Sequence, residues 1–186
     1  MIRKTITILV ILLLLVGIIT AILLLQQPKT DENELYKKQF GDTILRFERY
    51  DYALGQNMIV GVEKSTNKGK KYTRVTENPI TVSLEAQFLL LNETLAFVVS
   101  TDDLSRRKQF KGFLVSADGG KTFSNAEFHY DNANVDILTL DDFPYVDGNT
   151  LKMKCSVYDI NVTRDGYEEI ELIFLSYDNG FTWTLE

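Results

Sequence analysis

The sequence predicts an all-β domain at residues 36–186 behind one N-terminal membrane-spanning helix, and three observations predict it. The 186-residue chain opens on an uncharged apolar run. Alternating apolar and polar residues, broken by tight-turn signals, fill the remainder. One eight-residue pattern is written twice in near-complete form and a third time in decayed form.

The apolar run, TITILVILLLLVGIITAILLL at Thr5–Leu25, is about twenty residues long, enough for a helix to cross roughly 30 Å of hydrocarbon. A cleaved signal peptide has a shorter apolar region, about 7–15 residues, with a small-x-small site behind it. LLLQQPKTDE offers no such site and no cysteine to carry a lipid. We therefore expect a cytoplasmic stub at residues 1–5, an uncleaved signal anchor at 6–25 and a linker at 26–35. Arg3 and Lys4 precede the helix, whereas Lys29 is followed by Asp31, Glu32 and Glu34. The positive-inside bias keeps such an N-terminus in the cytoplasm and places the domain in the periplasm or outside the cell.

The exported part is acidic. Without Arg3, Lys4 and Lys29, the 20 basic residues fall to 17 against 26 acidic ones, a net charge of −9. Such a surface repels phosphate backbones, which argues against nucleic acid, and it speeds encounter with a basic protein. Cys155 is the only cysteine, so no disulfide closes within the chain. It alternates with Met153 and Val157 and reads as a core side chain.

The β elements follow in order. ENELYKKQF at residues 32–40 reads as a short helical turn, the one exception. Thereafter a turn signal, then Thr and an apolar residue, recurs as GDTIL at Thr43, NETL at Thr94 and GNTL at Thr150. In the second unit ITVSLEAQFLLL, TLAFVVST, QFKGFLVS and TFSNAEFHY read as four strands. In the third, DILTL, TLKMKCSVYDINV, YEEIELIFLS and FTWTLE do the same. VDGN at Val146–Asn149 and TRDGY at Thr163–Tyr167 carry Asp-Gly hairpin signals. The repeated octapeptide lies 22, 22 and 26 residues after those threonines: STNKGKKY from Ser65, SADGGKTF from Ser116 and SYDNGFTW from Ser176. Agreement at two separated points implies three units, at about 36–77, 78–131 and 132–186.

The octapeptide resembles the Asp-box, or BNR repeat, of sialidases and many other β-propeller proteins. The third copy matches at Ser176, Asp178, Gly180, Thr182 and Trp183. The second matches at Ser116, Asp118, Gly120 and Thr122, with Phe123 as its aromatic. The first keeps Ser65, Gly69 and Tyr72 and has Asn67 in place of aspartate. The resemblance implies a hairpin between the third and fourth strands of a blade. The residue types suit that place: Asp, Ser and Thr oxygens accept from turn N–H groups, glycine permits an angle a side chain forbids, and the aromatic plugs the hairpin. These residues are expected to be structural. Three such units form an open array, a compact β fold, or half of a homodimer completing a six-bladed ring.

A sialidase would also need an arginine triad, a Tyr–Glu pair, an acid Asp and an early Phe/Tyr-Arg-Ile-Pro motif. ILRFERY at Ile44–Tyr50 lacks the Ile-Pro, and its Arg46 and Arg49 read as exposed strand charges. His129 is the only histidine and reads as a strand residue. DNANVD at Asp131–Asp136 lacks the glycine and terminal Glu of a calcium loop. No catalytic, cofactor-binding or metal-binding residue is expected, and the chain reads as no enzyme.

What remains is a membrane-anchored, extracytoplasmic protein-binding module. Its candidate partner surface is the carboxylate-rich loops Thr101–Gln109, with Asp102 and Asp103, and Leu140–Gly148, with Asp141, Asp142, Phe143 and Tyr145. The layout is similar to that of the membrane-anchored periplasmic immunity proteins of bacterial type VI secretion systems, which implies neutralisation of a secreted toxin. The alternative is a carbohydrate-binding or degenerate glycosidase-like domain.

Overall fold

The structure, a computed structural model, describes residues 31–102, 109–129, 135–140, 142–159 and 168–186. The expected anchor at 6–25 and the expected Thr163–Tyr167 hairpin turn fall outside these residues. Asn33–Glu186 form one compact unit. The described chain is all-β, with antiparallel pairing nearly throughout.

Three antiparallel meanders succeed one another. The first pairs β1 (Glu34–Phe40), β2 (Thr43–Ala53), β3 (Asn57–Ser65) and β4 (Thr73–Arg74) in chain order. The second does so with β6 (Gln87–Leu90), β7 (Ala96–Asp102), β8 (Gln109–Ser116) and β9 (Ser124–Asn125). The third repeats it with β12 (Tyr145–Asp147), β13 (Thr150–Asp159), β14 (Glu168–Ser176) and β15 (Thr182–Leu185). Three strands stitch the meanders together. β5 (Ile80–Ser83) takes the edge of β3 that β4 leaves free, β10 (Glu127–His129) runs parallel to β15, and β11 (Val135–Leu140) bridges β8 and β13.

One hydrogen bond marks the same point in every meander. The N–H groups of Val75, Ala126 and Glu186 donate to the carbonyls of Val62, Phe113 and Ile173 at 2.8, 2.8 and 2.9 Å. Donors and acceptors are both offset by 51 and 60 residues, the same offsets that separate Ser65, Ser116 and Ser176.

Alternation decides where the core sits, because successive strand side chains point to opposite faces. Ala96 and Val98 of the second meander join Leu45, Phe47, Val60 and Val62 of the first. Phe97 and Val99, on the other face, join Met153, Cys155, Phe174 and Trp183 of the third. The middle meander is thus buried on both faces. Cys155 is fully buried, as its sequence neighbours imply. Each such side chain contributes about 1.5–3 kcal/mol on leaving water.

Residues 34–40 differ from the sequence expectation: they form β1, not a helical turn. Tyr36 and Phe40 lie two positions of the alternation apart and pack against the first cluster, while β2 supplies a ladder from Phe47 to Thr43. Packing and pairing outweigh the local preference of a Glu- and Lys-rich segment.

Candidate functional site

The three octapeptide turns share one hydrogen-bond scheme. The Ser65, Ser116 and Ser176 hydroxyls each donate at 2.8 Å to Oδ1 of Asn67, Asp118 and Asp178. Each serine oxygen accepts the N–H of Gly69, Gly120 or Gly180 at 2.8–3.0 Å. Oδ1 of residue 67, 118 or 178 then accepts from the returning strand, namely Lys71 N–H, Lys121 and Thr122 N–H, and Thr182 N–H. Asp118 Oδ2 also accepts the Thr122 hydroxyl at 2.6 Å. Partial burial pushes the Asp118 carboxyl up, but the hydrogen bonds from Thr122, Ser116 and Lys121 outweigh it and hold it below the ordinary value. Asp178 is held down in the same way by Thr182 and Ser176.

The turns are also joints between meanders. Thr76, buried beyond the first meander, donates its hydroxyl to Gly120 O and accepts Val62 N–H, both at 2.6 Å. Glu77 N–H reaches Lys121 O, and one joint further on Glu127 N–H reaches Phe181 O. Phe123 packs on the first cluster and Trp183 lies inside the second. Each aromatic therefore plugs the contact with the preceding meander, and Trp183 closes its own hairpin as well, its Nε1–H donating to Gly180 O at 2.8 Å.

At the third turn the joint opens into a cleft of about 180 Å³, space for about six waters, one long side chain or one sugar ring. One wall is Asn92 and Leu95, ahead of β7. The second is the β12–β13 turn, from Val146 through Gly148 and Asn149 to Leu151. The third is Ser176, Tyr177 and Asn179. Asn92 is fixed by accepting the N–H groups of Thr94 and Leu95 at 2.9 and 2.8 Å. Tyr177 is 74% exposed and Val146 59%, so two apolar bodies stand in water beside three amide side chains. Glu93 and Asp147 neighbour the lining in sequence. Glu93 lies 3.9 Å from Lys64, and Asp147 meets Lys152 at 3.2 Å.

The sequence-derived partner residues divide differently. Asp103 and Asp141 lie outside the described residues. Asp102 closes β7 opposite Gln109, and Gln109 faces Thr139 of β11. The backbone thereby brings the ends of both acidic loops within two strand spacings, about 10 Å. Asp142 is exposed, with its N–H toward Lys154 O at 3.4 Å. Phe143 is half-buried against the second cluster and so serves the core. Tyr145 is exposed in register with Lys152. Sequence reasoning missed the cleft, whose walls come from three segments, the first 51 residues before the second and the second 25 before the third. The one available signal was Tyr177, a large aromatic between the buried Ser176 and the turn-bonded Asp178 of the octapeptide.

The first meander's outward face carries a second polar constellation. Arg46 is not the exposed charge its sequence context suggests: its side chain is 11% exposed. The guanidinium lies 2.9 Å from Glu63, 3.3 Å from Glu48 and 3.6 Å from Glu34, under the Tyr72 ring at 4.0 Å. Tyr50 lies across Gly61, and burial together with the charge of Glu63 pushes its hydroxyl up to about 12. Here three carboxylates already turn to one guanidinium, whereas the cleft is concave and bordered by exposed side chains, so the cleft is the stronger candidate. Among the described residues, no group of three His, Cys, Asp or Glu is placed to hold a metal ion. His129 sits exposed in β10, beside Glu127. No family model matches the chain, and no curated protein matches it in sequence.

Proposed function

We propose that the chain is a membrane-anchored, extracytoplasmic protein-binding module built from three Asp-box units, and that its cleft receives a basic side chain of the partner. The cleft carries the reading: it is concave, bordered by the exposed Tyr177 and Val146, and flanked by Glu93 and Asp147 on a chain of net negative charge. Exposed aromatics beside a pocket are what protein interfaces use as anchors, and carboxylates at the rim steer a cation inward. The shared turn chemistry and the 51- and 60-residue offsets support the Asp-box kinship. The small anchored layout supports an immunity protein that blocks a secreted toxin.

The test uses the full chain in detergent as bait for envelope and culture-supernatant proteins. One partner is expected, released by salt, lost on Tyr177→Ala and retained on Tyr52→Ala. Loss of the toxin's activity in that complex would establish immunity. Retention by Tyr177→Ala with loss on Asp142→Lys would move the site to the acidic loops. Tyr177 beside three asparagines also favours a carbohydrate reading, and binding to a glycan array with no protein retained would replace the first proposal.

A further inference from the structure

The molecule has an apolar tip at the end where the chain enters it. The β2–β3 turn projects Leu54, which is 95% exposed, with Tyr52 at 61% and Leu84 at 45%. Three features hold this tip in one shape. Gly55 and Gln56 both have positive φ, 73° and 60°. Asn57 Nδ2 donates to Leu54 O at 2.9 Å, and Leu84 N–H donates to Gln56 O at 2.9 Å. The last bond brings Leu84, from beyond β5, to the side of the turn. Three large apolar side chains thus stand in water on a fixed turn, where a surface optimised for solvent would carry polar residues.

The entry point lies on the same side. Asn33 accepts Arg49 N–H at 2.9 Å through its carbonyl and Arg49 Nη2 at 3.0 Å through Oδ1. β1 runs antiparallel to β2, so the chain reaches β1 from the side on which β2 ends. From Arg49 to Leu54, β2 extends five more residues, about 16 Å at strand rise. Residues 26–33 follow the apolar run and span at most about 28 Å. A chain whose residues 6–25 cross a bilayer therefore holds this end of the domain within reach of the lipid surface. Arg49 lies over the Tyr52 ring at 4.4 Å, and an Arg–Tyr pair suits the headgroup layer, one partner amphipathic and the other cationic.

We infer that Leu54, Tyr52 and Leu84 rest in the interfacial layer of the membrane that holds the anchor, a second contact that orients the domain and turns the cleft away from the bilayer. This rests on the anchored reading. Contact is shallow, because Asp51 and Glu85 flank the tip and stay hydrated at headgroup level. The side chains at the tip are few, so the contact orients a tethered domain and does not by itself recruit one.

Full-length Leu54→Trp and Tyr177→Trp chains, reconstituted in phosphatidylcholine–phosphatidylethanolamine vesicles, separate the outcomes. Both positions are exposed, so neither variant disturbs the core, and Trp183 is a common buried background. With brominated phosphatidylcholine, the added emission of Leu54→Trp should be quenched and blue-shifted while that of Tyr177→Trp is unchanged. Leu84→Trp should follow Leu54→Trp. A chain that floats with vesicles but shows an unquenched Leu54→Trp overturns the inference and leaves the anchor standing. Equal quenching at both positions also overturns it. A chain that does not float defeats the anchored reading and the inference together.

Discussion

The first octapeptide turn and the two that follow it make the same serine hydrogen bonds but have different neighbours. Gly120 and Gly180 sit with φ of 86° and 90° against another meander, where an added Cβ would fall 2.4 Å from Val62 and 2.6 Å from Phe97. Gly69, at φ 78°, meets only Tyr72 and Ile44 of its own meander, at 3.3 and 3.5 Å. The aromatics follow suit: Phe123 and Trp183 enter apolar clusters shared with the preceding meander. Tyr72 finds the Arg46 guanidinium, on an outward face of ion pairs. Serine and glycine are kept three times because the turn itself needs them. Aspartate, threonine and an aromatic that enters an apolar cluster are found only where another meander comes before the turn's own. Decay of the first copy is thus a record of its position at the end of a stack.

The glycines test this most severely. Gly120→Ala should cost about 3 kcal/mol, because positive φ and a clash with a core valine add, and Gly180→Ala should cost about the same. Gly69→Ala should cost only about 1 kcal/mol, the backbone penalty alone. Denaturant midpoints of the three full-length variants would show it. Equal losses at all three would mean that the turns are isolated hairpins and that the joint contributes nothing.

Acid distinguishes the turns next. Asp118 and Asp178 have folded values below their unfolded ones, so their contribution is fully present above about pH 4 and is lost as pH falls through the folded values. Asn67 has no proton to gain. Asp118→Asn with Asp178→Asn should leave the chain less stable at pH 7 yet flatten the fall in thermal midpoint below pH 4. An unchanged acid slope would place that sensitivity elsewhere in the chain.

Much of the fold could be read in advance, for a physical reason. Period-two alternation, Asp-Gly and Asn-Gly turns, and side chains that bond within four residues are all local. Hence β7, β8, β13, β14 and the buried Cys155 were legible. What failed was non-local. Residues 34–40 become a strand only because β2 offers a ladder; DILTL was legible as a strand but not as the bridge between β8 and β13, and ITVSLEAQFLLL, read as one strand, divides into β5 and β6, which pair with different meanders. Arg46 looked like a surface charge because its burial depends on Glu34, Glu63 and Tyr72 arriving from three other segments. The cleft was illegible for the same reason: Asn92, Asn149 and Tyr177 carry no shared signal until three turns meet.

The smallest effect is the most direct test of why the first copy decayed. Asn67→Asp with Lys71→Thr rebuilds the pair seen at Asp118 and Thr122, where a hydroxyl reaches the second carboxylate oxygen at 2.6 Å. If decay reflects only the missing neighbour, the rebuilt turn should gain about 0.5 kcal/mol, since one exposed charge-assisted hydrogen bond is added and no packing changes. The gain should vanish below pH 4, as the new carboxyl protonates. A gain several times larger would mean that a partner surface had opposed the complete octapeptide. A loss would mean that Lys71 has a role the other two turns lack. Either departure would turn the end of the stack from a relaxed copy into a specialised one.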